Sequence, residues 1–201
     1  MAQRVEMGGR KGNGHGRLVV GITGASGVIY GIELLRALRR AGVETHLVMT
    51  DAAKKTIELE TPFRPEDVGG LAYRVHDIGD HAAPIASGSF LTHGMAVVPC
   101  TIKTLSAIVH SYNENLLVRA ADVCLKEGRK LVLAVRETPL HLGHLRLMCQ
   151  AAELGAVLLP PMPGFYHKPS SVEEIVLHIV GKIMDQFCLP HDLFRRWQGP
   201  S

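Results

Sequence analysis

The chain has 201 residues, 46% of them hydrophobic, and 22 Lys and Arg against 19 Asp and Glu give a formal net charge of +3. That length suits one α/β domain around a single core, and so small a basic excess, with no Lys/Arg block beside an aromatic series, argues against nucleic acid as a partner. No apolar run approaches the ~20 residues of a membrane span, and four scattered cysteines (Cys100, Cys124, Cys149, Cys188) with no CxxC or zinc spacing read as reduced thiols of a cytoplasmic protein.

Residues 1–16 are rich in Gly, Arg and Lys and lack an apolar stretch; they read as a disordered leader ahead of one domain spanning 17–201. Residues 18–22 form a first strand. Residues 28–40 follow as a helix, with Ile32, Leu34, Leu35 and Leu38 on one side and Gly42 as its stop. Residues 43–49 alternate as a second strand, and 51–59 form a short helix ended by Pro62. The stretch 62–90 is irregular, punctuated by Pro65, Gly69-Gly70, Pro84 and Ser87-Gly88-Ser89. A buried strand at 95–98 leads through Pro99-Cys100-Thr101 into helices at 103–110 and 116–125. The apolar run 131–135 is a strand that stops at Arg136 and Glu137, and Thr138 with Pro139 opens an amphipathic helix, its periodic part at 141–154. A last strand at 156–159 meets the rigid loop Pro160-Pro161-Met162-Pro163-Gly164. Ser171-Val172-Glu173-Glu174 fits a capping box that starts a helix running to about residue 187. Strands alternating with helices predict a doubly covered parallel sheet in a single domain.

Two strand ends carry the chemistry. Gly21-x-x-Gly24-Ala25-Ser26-Gly27 follows a strand and precedes a helix, where glycines admit a phosphate and the helix N-terminus supplies amide donors. It is not the Gly-x-Gly-x-x-Gly fingerprint, so a tight turn without a ligand is the alternative. Ser26 either donates to a ligand or caps the helix. Pro99-Cys100-Thr101-Ile102-Lys103-Thr104 repeats the arrangement at another strand end. There Thr101, Lys103 and Thr104 either contact an anion or serve as a cap and a solvated charge. Arg136 and Glu137 are a salt bridge or, at a sheet edge, a phosphate fork and a proton carrier. Tyr166 sits on a stiff loop, and Lys182 falls on the last helix. His141 and His144 have metal-ligand spacing but no evident third ligand, so no metal is expected.

From about Leu18 to Gly199 these segments resemble the flavin prenyltransferases of the UbiX type. The resemblance is carried by Gly21-Ile-Thr-Gly-Ala-Ser-Gly-Val-Ile-Tyr-Gly31, Ser87-Gly-Ser-Phe90, Pro99-Cys-Thr-Ile-Lys-Thr-Leu-Ser106, Arg136-Glu-Thr-Pro-Leu-His-Leu-Gly-His-Leu-Arg146, Phe165-Tyr-His-Lys-Pro169 and Asp192-Leu-Phe-Arg-Arg-Trp-Gln198. It implies a flavodoxin-like or Rossmann-like fold assembled as a dodecamer of trimers. It also implies reduced FMN as prenyl acceptor, dimethylallyl phosphate as donor, no metal, and prenylated FMN as product for a UbiD-type decarboxylase, including that of ubiquinone biosynthesis. Carried over by position, Gly24, Ala25, Ser26, Thr50, Thr101, Ile102, Lys103, Thr104 and Arg136 line FMN. Lys126, Arg136, Tyr166 and Lys182 hold the prenyl phosphate, and Ser26, Glu60 and Glu137 serve the chemistry. Lys182 stands where the family usually has Arg, keeping the charge but losing the bidentate fork. Lys168 likewise replaces a frequent Arg, and Thr50 and Thr101 replace a common Ser. The rivals are a flavoprotein that decarboxylates a peptidyl or pantothenoyl cysteine, whose Pro-x-Met-Asn-type loop is missing here, and a flavin carrier, which has no use for a second anion site.

Overall fold

The computed structural model describes residues 16–199. Six strands form one all-parallel sheet: β1 (Arg17–Ile22), β2 (Glu44–Met49), β3 (Arg74–His76), β4 (Gly94–Cys100), β5 (Lys130–Val135) and β6 (Val157–Leu158). Their order is β3-β2-β1-β4-β5-β6. Without the three-residue β3 the order is that of flavodoxin-like sheets; with it, that of the Rossmann sheet. Either way the winding reverses between β1 and β4, and in such sheets ligands lie at the carboxyl ends of the strands at that reversal.

The helices are α1 (Val28–Arg40), α2 (Asp51–Glu60), α3 (Pro65–Gly69), α4 (Ile102–Val109), α5 (Leu116–Lys126), α6 (Leu142–Glu153) and α7 (Val172–Gln186). Strand periodicity splits the core into two layers. Leu18, Val20, Ile22, Leu47 and Met49 pack with Leu34, Leu35, Leu38, Ile179, Val180 and Ile183 of α1 and α7. Val19, Val48, Met95, Val97, Leu131 and Leu133 pack with Leu105, Ile108, Leu116 and Leu117 of α4 and α5. The strands are therefore apolar on both faces, as parallel sheets require.

Two expectations change. Residues 62–90 contain α3 and β3, which the sequence conceals because Arg74 and Val75 are exposed and β3 is an edge strand of three residues. The segment after β5 does not open its helix at Thr138 and Pro139. It runs irregularly to His141, whose Nδ1 accepts the Gly143 N–H at 3.0 Å and caps α6. On the β2–β3 side the sheet holds a polar chain that runs from half-buried Arg17 and Glu44 to buried His46 and His76. Arg17 Nε donates to Glu44 Oε1 at 2.6 Å, Glu44 Oε1 lies 2.9 Å from His46 Nε2, and His46 Nδ1 lies 2.8 Å from His76 Nε2. The Arg17 bond holds the Glu44 carboxyl below its ordinary range, while burial holds His76 below that of a free imidazole.

Candidate active site

The reversal between β1 and β4 is closed by Thr23. Its hydroxyl donates to the Pro99 carbonyl at 2.8 Å and accepts the Thr101 N–H at 2.9 Å, joining the two strand ends in a buried bridge. On one side the chain turns through Gly24-Ala25-Ser26-Gly27 into α1. Gly27, at the N-cap with φ 95°, supplies no side-chain cap, so Ser26 is not the helix cap; its side chain is exposed at the turn. Glu60, the last residue of α2, accepts the Gly27 N–H at 2.8 Å. Its carboxylate thus answers the positive end of α1 from across the turn. Gly24 is glycine for a packing reason, because a Cβ there would lie 2.5 Å from the Ala52 Cβ.

On the other side Thr101 caps α4. Its Oγ1 accepts the Thr104 N–H at 3.2 Å and donates to Thr104 Oγ1 at 3.0 Å. The amides of Ile102 and Lys103 begin the helix, and no acidic residue stands in its first turn. Unlike the α1 terminus, this one has no carboxylate bonded to its amides among the described residues, which fits it to an external anion. Thr50 caps α2 in the same way, accepting the Ala53 N–H at 3.1 Å, and the Thr50 N–H donates to Ile22 O.

Arg136 enters where the β4–β5 register shifts, its N–H donating to Cys100 O at 3.0 Å. Its exposed guanidinium lies near Tyr30 of α1. Burial raises the Tyr30 phenol above its ordinary value and Arg136 opposes that rise. Glu137 turns back on its own loop, Oε1 accepting the Thr138 N–H at 3.0 Å. Among the described residues Arg136 and Glu137 do not pair with one another, so both are available to a ligand. Cys100 lies under this edge, but burial pushes its thiol up to about 12, so it supplies no thiolate.

The crevice therefore brings together Gly24, Ala25, Ser26, Thr50, Glu60, Thr101, Ile102, Thr104, Arg136 and Glu137. Lys103 contributes its amide, while its ammonium pairs with Glu114 at 3.3 Å. Sequence reasoning missed Thr23 and Tyr30. Thr23 was legible only as one residue inside the glycine turn, and Tyr30 as an aromatic in the first turn of the helix that follows it.

Three residues of the expected phosphate site lie elsewhere in the same chain. Lys126 ends α5, below the first residues of β4 and β5, beside Glu127 and the Gly88 loop. The six residues of β5 put it roughly 20 Å from Arg136 along the sheet. Tyr166 and Lys182 lie on the outer side of α7. This helix packs on α1 and β5, and its C-terminal end brings Phe187 against Gly94 at the bottom of β4. The Tyr166 hydroxyl is 3.0 Å from His178 Nε2, and the Tyr166 ring meets that of Trp197 edge-on at 5.8 Å. Tyr166, Arg196 and Trp197 line a cleft of about 470 Å³. The chain after α7 is pinned by Asp185, which accepts from Arg196 at 2.7 and 3.1 Å and lies 3.0 Å from His191. Burial tends to raise the Asp185 carboxyl, but the Arg196 and His191 bonds outweigh it and the net shift is downward. Among the described residues no cluster of His, Cys, Asp or Glu suited to a metal occurs.

The family model for Flavoprotein matches residues 9–183. A flavin prenyltransferase UbiX from Thauera aromatica is 63% identical over 183 residues, 91% of this chain and 94% of its own. The flavin prenyltransferase UbiX of Escherichia coli K12 is 61% identical over 186 residues, covering 91% of this chain and 98% of its own. The crystal structure of AnUbiX in complex with FMN and dimethylallyl pyrophosphate superposes with a TM-score of 0.91 at 50% identity, covering 92% of this chain and 98% of that one. A dodecameric FMN-dependent UbiX-like decarboxylase from Escherichia coli O157:H7 superposes at 0.89 with 53% identity, covering 91% and 100%.

Proposed function

This chain belongs to the flavoprotein family and, within it, to the UbiX-type flavin prenyltransferases, and from that premise we propose how its residues divide the reaction. The activity is transfer of a dimethylallyl group from dimethylallyl phosphate to N5 and C6 of reduced FMN, giving prenylated FMN for a UbiD-type decarboxylase in ubiquinone biosynthesis. The observation that carries this assignment is near-full-length identity above 60% to flavin prenyltransferases, in a chain whose strand reversal holds the anion-ready crevice described above.

The crevice fits a phosphate-bearing flavin. The α4 terminus offers the Ile102 and Lys103 amides, which have no partner among the described residues, and no acidic residue in its first turn; Arg136 stands beside it, and the hydroxyls of Thr50, Thr101 and Thr104 border it. When bound, reduced FMN supplies the nucleophilic ring positions. Ser26, free of any capping duty, donates to the ring edge. Glu60 fixes the turn that presents Ser26. Glu137 keeps one carboxylate oxygen on the Thr138 amide and has the other for a proton. Arg136, Lys126, Lys182 and the Tyr166 hydroxyl stabilise the phosphate as it leaves, fixed charges aimed where negative charge develops. No step calls for a metal.

Because Lys126, the Tyr166–Lys182 pair and Arg136 stand on three separate surfaces of one chain, they serve one reaction only if different copies contribute them. We place the complete site between subunits of a homododecamer, the state of the E. coli O157:H7 relative. Exposed Leu142, Leu145 and Met162 supply apolar surface for that assembly. Among the described residues no helix is long and apolar enough to cross a membrane, and the cytoplasm, where FMN is made and used, is the proposed location. The flavin that co-purifies with the protein tests the reading. FMN and FMN heavier by one C5 unit are expected; a flavin-free protein that does not bind added FMN would contradict it.

A further inference from the structure

His178 is an unusual residue to find inside α7. It is 6% exposed. Its ring is stacked on His167 at 4.9 Å and 20°, and the Phe194 ring meets it edge-on at 4.7 Å. Gly164 makes room for it, since a Cβ there would sit 3.2 Å from His178 Cε1. Nε2 lies 3.0 Å from the Tyr166 hydroxyl, and buried Nδ1 has no partner among the described residues. The stack of aromatic neighbours fixes the ring plane, leaving the position of its proton as the remaining freedom.

The doubly protonated ring is disfavoured. It would bury an N–H with no acceptor and place a cation beside His167 and near Lys182, one helical turn further on; burial first, then those two neighbours, hold the imidazole below its ordinary value. Of the two neutral forms, one carries the proton on Nδ1 and leaves a buried N–H unsatisfied. The other carries it on Nε2 and leaves only a bare acceptor at Nδ1. Orphaned buried N–H groups are the rarer of the two in folded proteins. The choice matters to Tyr166. If Nε2 is bare, the phenol proton points inward to it and the phenol oxygen presents only lone pairs to an anion. If Nε2 carries the proton, it donates to the phenol oxygen, and the phenol proton is free to point outward.

We infer that His178 is a positioning residue for prenyl transfer. It holds the Nε2–H form, donates to the Tyr166 oxygen and thereby commits the Tyr166 hydroxyl to donate to the phosphate of the prenyl donor. This rests on the reading of Tyr166 as a phosphate contact. Lys182, on the same face of α7, is the cationic partner of the same phosphate.

The test uses the full-length protein with reduced FMN and dimethylallyl phosphate. Steady-state kinetics are measured for wild type, Tyr166→Phe, His178→Phe, His178→Asn, His178→Gln and the Tyr166→Phe/His178→Phe double variant, each checked for undisturbed FMN affinity. His178→Phe is expected to raise the donor KM roughly tenfold, as Tyr166→Phe does, with FMN affinity unchanged. His178→Gln, whose amide N–H reaches the Nε2 position, restores most of the loss. His178→Asn, whose amide sits at the Nδ1 position, does not. The double variant is no worse than Tyr166→Phe alone, because the two residues act as one unit. Should His178→Phe destabilise the fold, the Asn and Gln pair still decides the matter. In addition, ¹⁵N chemical shifts of the His178 ring read the proton position directly, and a shift pattern of Nδ1–H with donor bound overturns the inference. A normal KM in His178→Phe beside a raised one in Tyr166→Phe, or effects that multiply in the double variant, also overturns it. An unaltered KM in Tyr166→Phe itself identifies the Tyr166 reading, and the inference with it, as the failure.

Discussion

At the scale of single residues the account turns on Arg136. Its amide is fixed to Cys100 O while its guanidinium is left free at the crevice beside Tyr30. Arg136→Ala should leave the fold intact, since an exposed side chain carries little packing. It removes a charge-assisted contact of about 1.5–3 kcal/mol, and prenylation should fall roughly 10–10²-fold. Turnover near wild type, measured as prenylated flavin per active subunit, would sink the role. Glu137→Gln should bind FMN normally yet slow the reaction by roughly 10²–10⁴-fold if the carboxylate moves a proton. Unchanged single-turnover rates would rule it out. Thr23 is a different kind of residue, one that touches no ligand in this account. Thr23→Val leaves the Pro99 carbonyl and the Thr101 amide without their side-chain partner and should cost about 1–3 kcal/mol of stability. Thr23→Ser should recover most of it in denaturant titrations. The sequence pointed to the glycines of this turn and to the hydroxyls of Thr101 and Thr104. It was silent on Thr23 because a bridge across 76 positions of chain is a property of the strand order, not of local spacing. It also credited Gly24 to a ligand, where the contact with Ala52 supplies an independent reason.

Among the elements, α7 and the chain that follows it form a unit held by Asp185. Three interactions with Arg196 and His191 tie residues 188–199 across the helix, and Trp197 is carried with them to Tyr166. Asp185→Asn should therefore loosen this segment without unfolding the sheet. Trp197 is the only tryptophan in the chain, so its emission should shift to the red and its acrylamide quenching should increase, with a raised donor KM and an unaltered FMN affinity. An unchanged Trp197 spectrum would show that Asp185 does not hold the segment. Long periodic elements such as α1 and α7 were legible within a residue or two, because their apolar stripes repeat on every turn. The edge strand β3 was not, because three residues with two exposed side chains leave no period to detect. Thr138-Pro139 misled about the start of α6. Pro suits a helix's first turn, but His141, not Thr138, supplies the cap.

At the scale of the whole molecule the proposed assembly adds what a single chain lacks. Lys126 closes α5 at the opposite end of the strands from Arg136, so the proposal that both serve one flavin requires an interface between copies. Mixing the impaired Lys126→Ala with the impaired Arg136→Ala, after dissociation and reassembly, should restore part of the wild-type rate, because some interfaces then carry both native residues. Mixtures no more active than the two variants alone would contradict a site shared between copies. Stability should fall with acid in two stages. His76 and His178 are held below their ordinary 6.5 in the fold, so the unfolded chain takes up their protons first, and the melting temperature declines as pH falls below about 6.5. Glu44 and Asp185 are held below 4.5 and 3.8, so what they contribute is complete above those values and is lost as pH falls through their depressed ones. His76→Gln should reduce the upper stage, leaving the part due to His178, and keep the lower one in place, read from thermal melts across pH; a melting temperature flat from pH 7 to 5 in the wild type would contradict this. The central claim, that this crevice joins a C5 unit to a flavin, is tested most directly by incubating the purified protein anaerobically with reduced FMN and dimethylallyl phosphate, without added metal, and weighing the released flavin. The account predicts a mass increase of one C5 unit that depends on both the protein and the donor; recovery of unmodified FMN alone, from protein that demonstrably binds it, would contradict it.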